Sequence, residues 1–223
     1  MGIFEQEQKQ IAFWGSTQKG TNMRTPIFAL AGLLLATEAT AQDSVEARLT
    51  AIEDARAVAQ LATCYGRAND ILFTQRHRAG ADTARAEGIA KLSECFTDDA
   101  AFDVVFFNSP DSFAEPNGPA EWAELIIGFG TQNNVTSTRH LMGNIDVTIS
   151  GDTAELSAFS VTPHFQASQL DAPMPSNMLL TGVYSGTAER TADGWRLSNW
   201  TVGVDDFQAV VGMYPFGFHP GTN

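Results

Sequence analysis

Apolar positions along the chain change period twice, and the changes divide it into helical and strand territory. Residues 44 to 71 carry Val45, Leu49, Ile52, Ala55, Val58, Ala59, Leu61, Ala62, Tyr65 and Ala68 at three- and four-residue steps, with Glu53, Arg56, Gln60 and Arg67 opposite. This spacing predicts a long amphipathic helix, near whose end Asn69 falls on the apolar side and Asp70 follows it. Residues 74 to 88 are polar and rich in Ala, Gly and Arg, and are expected to form a loop holding His77. A short helix is expected over 89 to 96, a turn over 97 to 100, and a strand over 101 to 107. Residues 108 to 119 contain three prolines and one glycine and read as a loop. Pro119 then opens a third helix, with Trp122, Leu125, Ile126 and Phe129 as its apolar stripe.

From Val135 onward the period becomes two. Strands are predicted over 136–150, 153–166, 178–190 and 195–204, joined by tight turns at Ser150-Gly151-Asp152 and Ala192-Asp193-Gly194. In the first of these, His140 and Met142 share a parity that Ile145, Val147 and Ile149 do not. A β-bulge at Gly143-Asn144 would turn both sets toward one concave interior. Helices followed by a meander of long strands define an α+β domain, with a curved mixed sheet covered by about three helices.

The front of the chain reads differently. Met23-Arg24-Thr25-Pro26, an apolar run from Ile27 to Ala36, and Ala39-Thr40-Ala41 have the order of a secretory signal cleaved after Ala41. The run is too short for a membrane span, which needs about 20 residues. The expected organisation is a leader over 1–22, a signal over 23–41 and one domain over 42–223, with Met23 as the expected true start. The mature protein is then exported, periplasmic or secreted.

Removal of that front segment leaves ten basic residues against 23 acidic ones, a net charge still of −13. Such a surface repels phosphate backbones and anionic lipid, so neither nucleic acid nor membrane is an expected partner. Cys64 and Cys95 are the only cysteines, and export makes a disulfide between them possible, although a domain of this size does not require one. No His-x-x-x-His or Cys-x-x-Cys spacing occurs, and no metal or cofactor is predicted. GxGxxG, GxxxxGK[ST] and GxSxG are also missing, which leaves nucleotide-binding folds and serine hydrolases without support.

Four histidines remain as chemistry-bearing candidates. His77 sits in a basic stretch and His219 near the terminus, whereas His140 and His164 lie in predicted strands. An imidazole exchanges a proton near neutral pH, and a carboxylate can hold it in one tautomer. Asp70 is the carboxylate placed to do so, while the bland alternative is a pair of hydrogen-bonded structural histidines.

Six segments in order are similar to one family. Glu53-Asp54-Ala55-Arg56-Ala57-Val58-Ala59-Gln60-Leu61, Tyr65-Gly66-Arg67-Ala68-Asn69-Asp70 and Cys95-Phe96-Thr97-Asp98-Asp99-Ala100-Ala101-Phe102-Asp103 come first. Thr138-Arg139-His140-Leu141-Met142-Gly143-Asn144, the Gly151-Asp152-Thr153-Ala154 hairpin and Asp193-Gly194-Trp195-Arg196-Leu197 complete the pattern. Together they resemble the SnoaL-like branch of the nuclear transport factor 2-like superfamily. The resemblance implies a cone of curved sheet around an apolar pocket, often dimeric through the sheet, and it extends to scytalone dehydratase. It matches Asp70 and His140 to that enzyme's Asp-His pair and His164 to its second histidine, while Val104 stands where the enzyme carries a tyrosine.

These residues lead to a cofactor-independent lyase or isomerase of the dehydratase type, acting on a small hydrophobic molecule. Asp70, His140 and His164 are the catalytic set, and Tyr65, Asn69, Phe102, Trp122, Met142 and Tyr184 the substrate-binding set. His140 would remove a proton from carbon, with His164 and Asn69 or Tyr65 assisting the developing oxyanion or the leaving group. A non-catalytic binder of a hydrophobic small molecule is the alternative. An oligomer-forming accessory module is a third reading, and a homodimer is the expected assembly.

Overall fold

The computed structural model describes residues 28–107, 109–166 and 176–211. It comprises two compact units, Met1–Glu46 and Ala47–Asn223, and the fold below is that of the second. Residues 1–27 of the expected leader and signal, and His219, lie outside the described residues.

Among the described residues, three helices and seven strands follow in order: α1 (Phe28–Ala79), α2 (Ala81–Ser93), β1 (Phe96–Phe106), α3 (Gly118–Gln132), β2 (Val135–Thr138), β3 (Leu141–Ser150), β4 (Thr153–Gln166), β5 (Ser176–Thr191), β6 (Gly194–Val204) and β7 (Asp206–Val211). The strands form one sheet in the order β1-β6-β5-β4-β2, with β3 also paired to β4 and β7 to β5. β1 runs parallel to β6 and the other pairs are antiparallel, which makes the sheet mixed as expected. Irregularities in register between Gly143 and Asp146 and between Thr187 and Ala188 curl it. Asn144, at φ 46°, adopts the left-handed conformation Asn tolerates, and Met142, Ile145, Val147 and Ile149 all pack against the core.

Several boundaries differ from the sequence reading. α1 continues to Ala79, so Asp70 lies within it rather than at its end, and His77 belongs to its last turn. Arg76, His77 and Arg78 there oppose the negative end of the helix dipole, an alternative to a solvated loop for a basic cluster. Gly80, at φ 94°, ends α1 and separates it from α2, which occupies 81–93 where a loop and a later helix were expected. The Ala, Glu, Arg and Lys content of this stretch favours helix, although its polarity obscures the periodicity. β1 begins at Phe96, so the expected turn over 97–100 is strand. Val45, Leu49 and Ile52 are exposed, and the buried stripe of α1 begins at Val58.

The expected strand over 136–150 is two strands. β2 pairs with the end of β4, Thr138 opposite His164, whereas β3 pairs with the start of β4, Leu141 opposite Val161. Arg139 and His140 form the break between them.

α3 starts at Gly118, whose left-handed backbone (φ 74°) leaves no room for a side chain, since a Cβ would lie 2.5 Å from the Asp98 carbonyl. The Asn117 N–H at the N-cap donates to Glu121 Oε2 at 2.8 Å, with Pro119 in the first turn. Across the other end of the core, Arg190 on β5 forks onto Asp54 of α1 at 2.7 and 2.9 Å, and Trp195 Nε1 donates to the same carboxylate at 3.0 Å. These donors hold the Asp54 carboxyl down to about 2.

Cys64 on α1 and Cys95, between α2 and β1, form a disulfide with Cα atoms 5.9 Å apart. The bond spans a sequence separation of 31, for which chain-entropy arguments give about 3–4 kcal/mol of stabilisation. A Cys64→Ala/Cys95→Ala double variant is expected to lose stability of that order in urea unfolding, and the wild type to lose the same on reduction.

Candidate active site

Tyr65 is the hub of the interior. Its ring centroid lies 5.5–6.2 Å from those of Phe96, Trp122, Tyr184, Trp200 and His140, so one α1 side chain touches β1, α3, β5, β6 and the β2–β3 break. Aromatic pairs of this kind contribute about 0.5–1.5 kcal/mol each beyond the area they bury. Asn69, one turn later and wholly buried, donates to the Tyr65 carbonyl at 2.9 Å and accepts from Trp122 Nε1 at 3.0 Å. The polar residue on the apolar face of α1 is therefore a brace between α1 and α3.

Beside this brace lies a cavity of about 80 Å³. α1 supplies Tyr65, Asn69 and Phe73, and α3 supplies Trp122, Leu125, Ile126 and Phe129. The sheet adds Val104, Phe106, Leu180, Tyr184, Val202 and Val204, and Phe113 closes the list of apolar walls. His140 and His164 also face it, and among the lining side chains there is no cation and no carboxylate. Such a wall offers a charged group no counterion.

Asp70 stands behind His140. One carboxylate oxygen, Oδ1, accepts from His140 Nδ1 at 2.9 Å, from the His140 backbone N–H at 3.2 Å and from the Thr138 hydroxyl at 2.7 Å. The backbone donor exists because the sheet is broken there. With its Nδ1 proton engaged by Asp70, neutral His140 leaves Nε2 as a lone pair with no partner among the described residues. Gly66 permits this approach, since a Cβ on it would meet the His140 Cβ at 2.9 Å and Met142 Cγ at 3.4 Å.

His164 adopts the same tautomer for a different reason. Its Nδ1 donates to the Thr162 carbonyl at 3.1 Å, and a carbonyl can only accept. The ring packs edge-on against Phe73 and Phe129, with centroids at 5.3 and 5.9 Å, and lies 6.4 Å from His140. Burial, and then the adjacent His140, pushes its pKa down from 6.5 to about 4. His164 is consequently neutral at physiological pH and offers the cavity an acceptor. As an acceptor it differs from the donor that the expected part in stabilising an oxyanion or assisting a leaving group calls for. Tyr65 and Tyr184 also line the cavity, and burial raises both phenols so that each keeps its proton, with Asn69 hydrogen-bonded to Tyr65 and Ser160 and Thr162 to Tyr184.

Of the expected site residues, Tyr65, Asn69, Trp122, Tyr184, His140 and His164 line this same cavity, and Asp70 backs it through His140. Phe102 and Met142 do not line it. Phe102 stacks behind Trp122 at 4.7 Å, and Met142 packs near Gly66. Phe73 and Thr138 are additions. Phe73 lies four residues beyond Asn69 on the same face and was lost by ending α1 at 71, while Thr138 opens the Thr-Arg-His segment already singled out.

Residues 50–201 match the family model of the SnoaL-like domain, and the chain belongs to that family. Among solved structures, the Kfla4162 protein of Kribbella flavida is 21% identical with a TM-score of 0.54, covering 71% of this chain and 95% of its own. A candidate aromatic ring hydroxylase of Novosphingobium aromaticivorans is 22% identical at a TM-score of 0.52, covering 71% and 94%. A candidate scytalone dehydratase of the same species is 16% identical at 0.51, covering 78% and 98%. These likenesses are of fold. No curated protein sequence matches the chain.

The native state takes up the His164 proton only near pH 4, whereas an unfolded chain does so near 6.5. The stabilising contribution is therefore complete above pH 6.5 and is lost as pH falls toward 4, by about 3 kcal/mol at the lower limit. Urea unfolding at pH 7.5 and 4.5 should show a wild-type loss about 2–3 kcal/mol greater than that of His164→Gln, which does not titrate.

Proposed function

We propose that the protein is a cofactor-independent lyase or isomerase in which His140, oriented by Asp70, removes a proton from carbon in a small, uncharged, hydrophobic substrate. The observation that carries this reading is the 2.9 Å Asp70–His140 Nδ1 hydrogen bond in a residue that lines an apolar cavity, which leaves Nε2 as the nitrogen free to act as base. A base in such surroundings meets a carbon acid without competition from bulk water. Negative charge developing on the substrate would be met by the Tyr65 or Tyr184 hydroxyl, and His164 would accept a hydrogen bond from a substrate hydroxyl. The fold shared with a candidate scytalone dehydratase is compatible with elimination chemistry.

A binding role is the second reading, favoured by the predominance of hydrocarbon in the cavity wall. Export fits the Cys64–Cys95 disulfide, since such bonds persist in oxidising compartments. Among the described residues no helix is long and apolar enough to cross a membrane. Homodimer formation is supported by Leu141, Phe159 and Val183, exposed on β3, β4 and β5, with Phe159 and Val183 directly paired.

The test is a panel of neutral cyclic β-hydroxy and β-halo carbonyl compounds in D₂O, followed by NMR for deuterium uptake at carbon and for loss of the leaving group. A compound turned over by wild type should slow about 10²- to 10⁴-fold with His140→Ala, and also slow with Asp70→Asn. Full turnover by His140→Ala would rule out the assignment. Compounds retained but unchanged would favour the binder.

A further inference from the structure

We infer that Thr138 is a positioning residue of the site: its buried hydroxyl fixes Asp70 to the sheet and thereby sets which nitrogen of His140 faces the cavity. The inference rests on the reading of His140 as base, and it concerns a side chain that does not line the cavity.

Three donors converge on Asp70 Oδ1, but they are not equivalent. Two of them, Nδ1 and the backbone N–H at 2.9 and 3.2 Å, belong to His140 itself. They move with the residue they are meant to hold. The third and shortest, from Thr138 Oγ1 at 2.7 Å, comes from outside the pair. Thr138 is the last residue of β2, fully buried, and is paired in register with His164 on β4. The next N–H, of Arg139, still bonds to the Pro163 carbonyl at 3.3 Å, after which the pairing lapses at His140. Thr138 is thus the last residue in paired register with β4 before the break, one residue short of the last main-chain hydrogen bond.

Without that hydroxyl, Asp70 could rotate with His140 as a unit about the helix side chain, and the Nδ1–H tautomer would lose its fixed acceptor. A β-branched residue suits the task, because its χ1 is stiff and the hydroxyl does not wander. The same residue also joins the two histidines: its backbone faces His164 and its side chain reaches the acceptor of His140.

The test replaces Thr138 by Val, which keeps the shape without the donor, and by Ser, which keeps the donor. Long-range ¹H–¹⁵N correlation spectra at alkaline pH read the tautomer of each neutral imidazole without requiring a substrate. Thr138→Val is expected to raise the Nε2–H to Nδ1–H ratio of His140 about tenfold, the effect of losing one hydrogen bond to a charged group. Thr138→Ser should stay within about twofold of wild type, and His164 should keep its tautomer in both. A Val variant with the wild-type ratio, or a Ser variant displaced as far as Val, overturns the inference. If the Val variant does not fold, Thr138→Ala is read in the same way. Because the spectrum reports proton position and not turnover, a protein that proves to be a binder leaves this test intact, and a failed test leaves the turnover assay intact.

Discussion

The geometry of the site depends on a two-residue break in the sheet. β4 is long enough to pair with one continuous neighbour, but it carries β2 on one part and β3 on another, and the chain between them leaves the ladder at Arg139 and His140. An amide freed from a sheet and half-buried must find another acceptor, and here the acceptor is a carboxylate on a helix. A side chain that would otherwise alternate in and out with its strand is therefore directed by Asp70 from both ends of the residue, at the main-chain N–H and at Nδ1. A structural requirement and a chemical opportunity coincide on one oxygen atom.

The surrounding packing gives that atom its setting. Gly66 lets α1 approach the break, and the Cys64–Cys95 bond beside it fastens α1 to the start of β1. Tyr65 and Asn69 hold α3 and the far strands around the cavity through ring contacts and one amide. The cavity is small and almost wholly apolar, so the few polar atoms facing it act at low dielectric, where an oriented lone pair or phenol has more effect than in water. The two histidines reach the same tautomer through unlike partners, a carboxylate for His140 and a carbonyl for His164. That difference in partner separates a base backed by negative charge from a neutral acceptor.

Much of this was legible in the chain. The periodicities gave the helical opening and the meander, the parity switch at Gly143-Asn144 located the bulge, and the Asn69, Asp70, His140 and His164 constellation marked the residues that surround one cavity. The break at Arg139 and His140 was not visible, because period-two alternation runs through Val135–Met142 regardless of whether the hydrogen bonds continue. The helical nature of 74–88 was hidden because exposed helix has propensity but no apolar stripe, and Phe73 was lost with it. Phe102 was misplaced by one layer: it has the parity of the interior but stacks behind Trp122. The donor capacity of His164 could not have been read at all, since it depends on a carbonyl two residues away.

Proton positions are what the account asserts, and a neutron crystal structure at neutral pD reads them directly. Deuterons are predicted on Nδ1 of both His140 and His164, with Nε2 of His164 bare and the Thr138 hydroxyl deuteron directed at Asp70. A deuteron on His140 Nε2 with Nδ1 bare, or one on the Asp70 carboxyl, would contradict it.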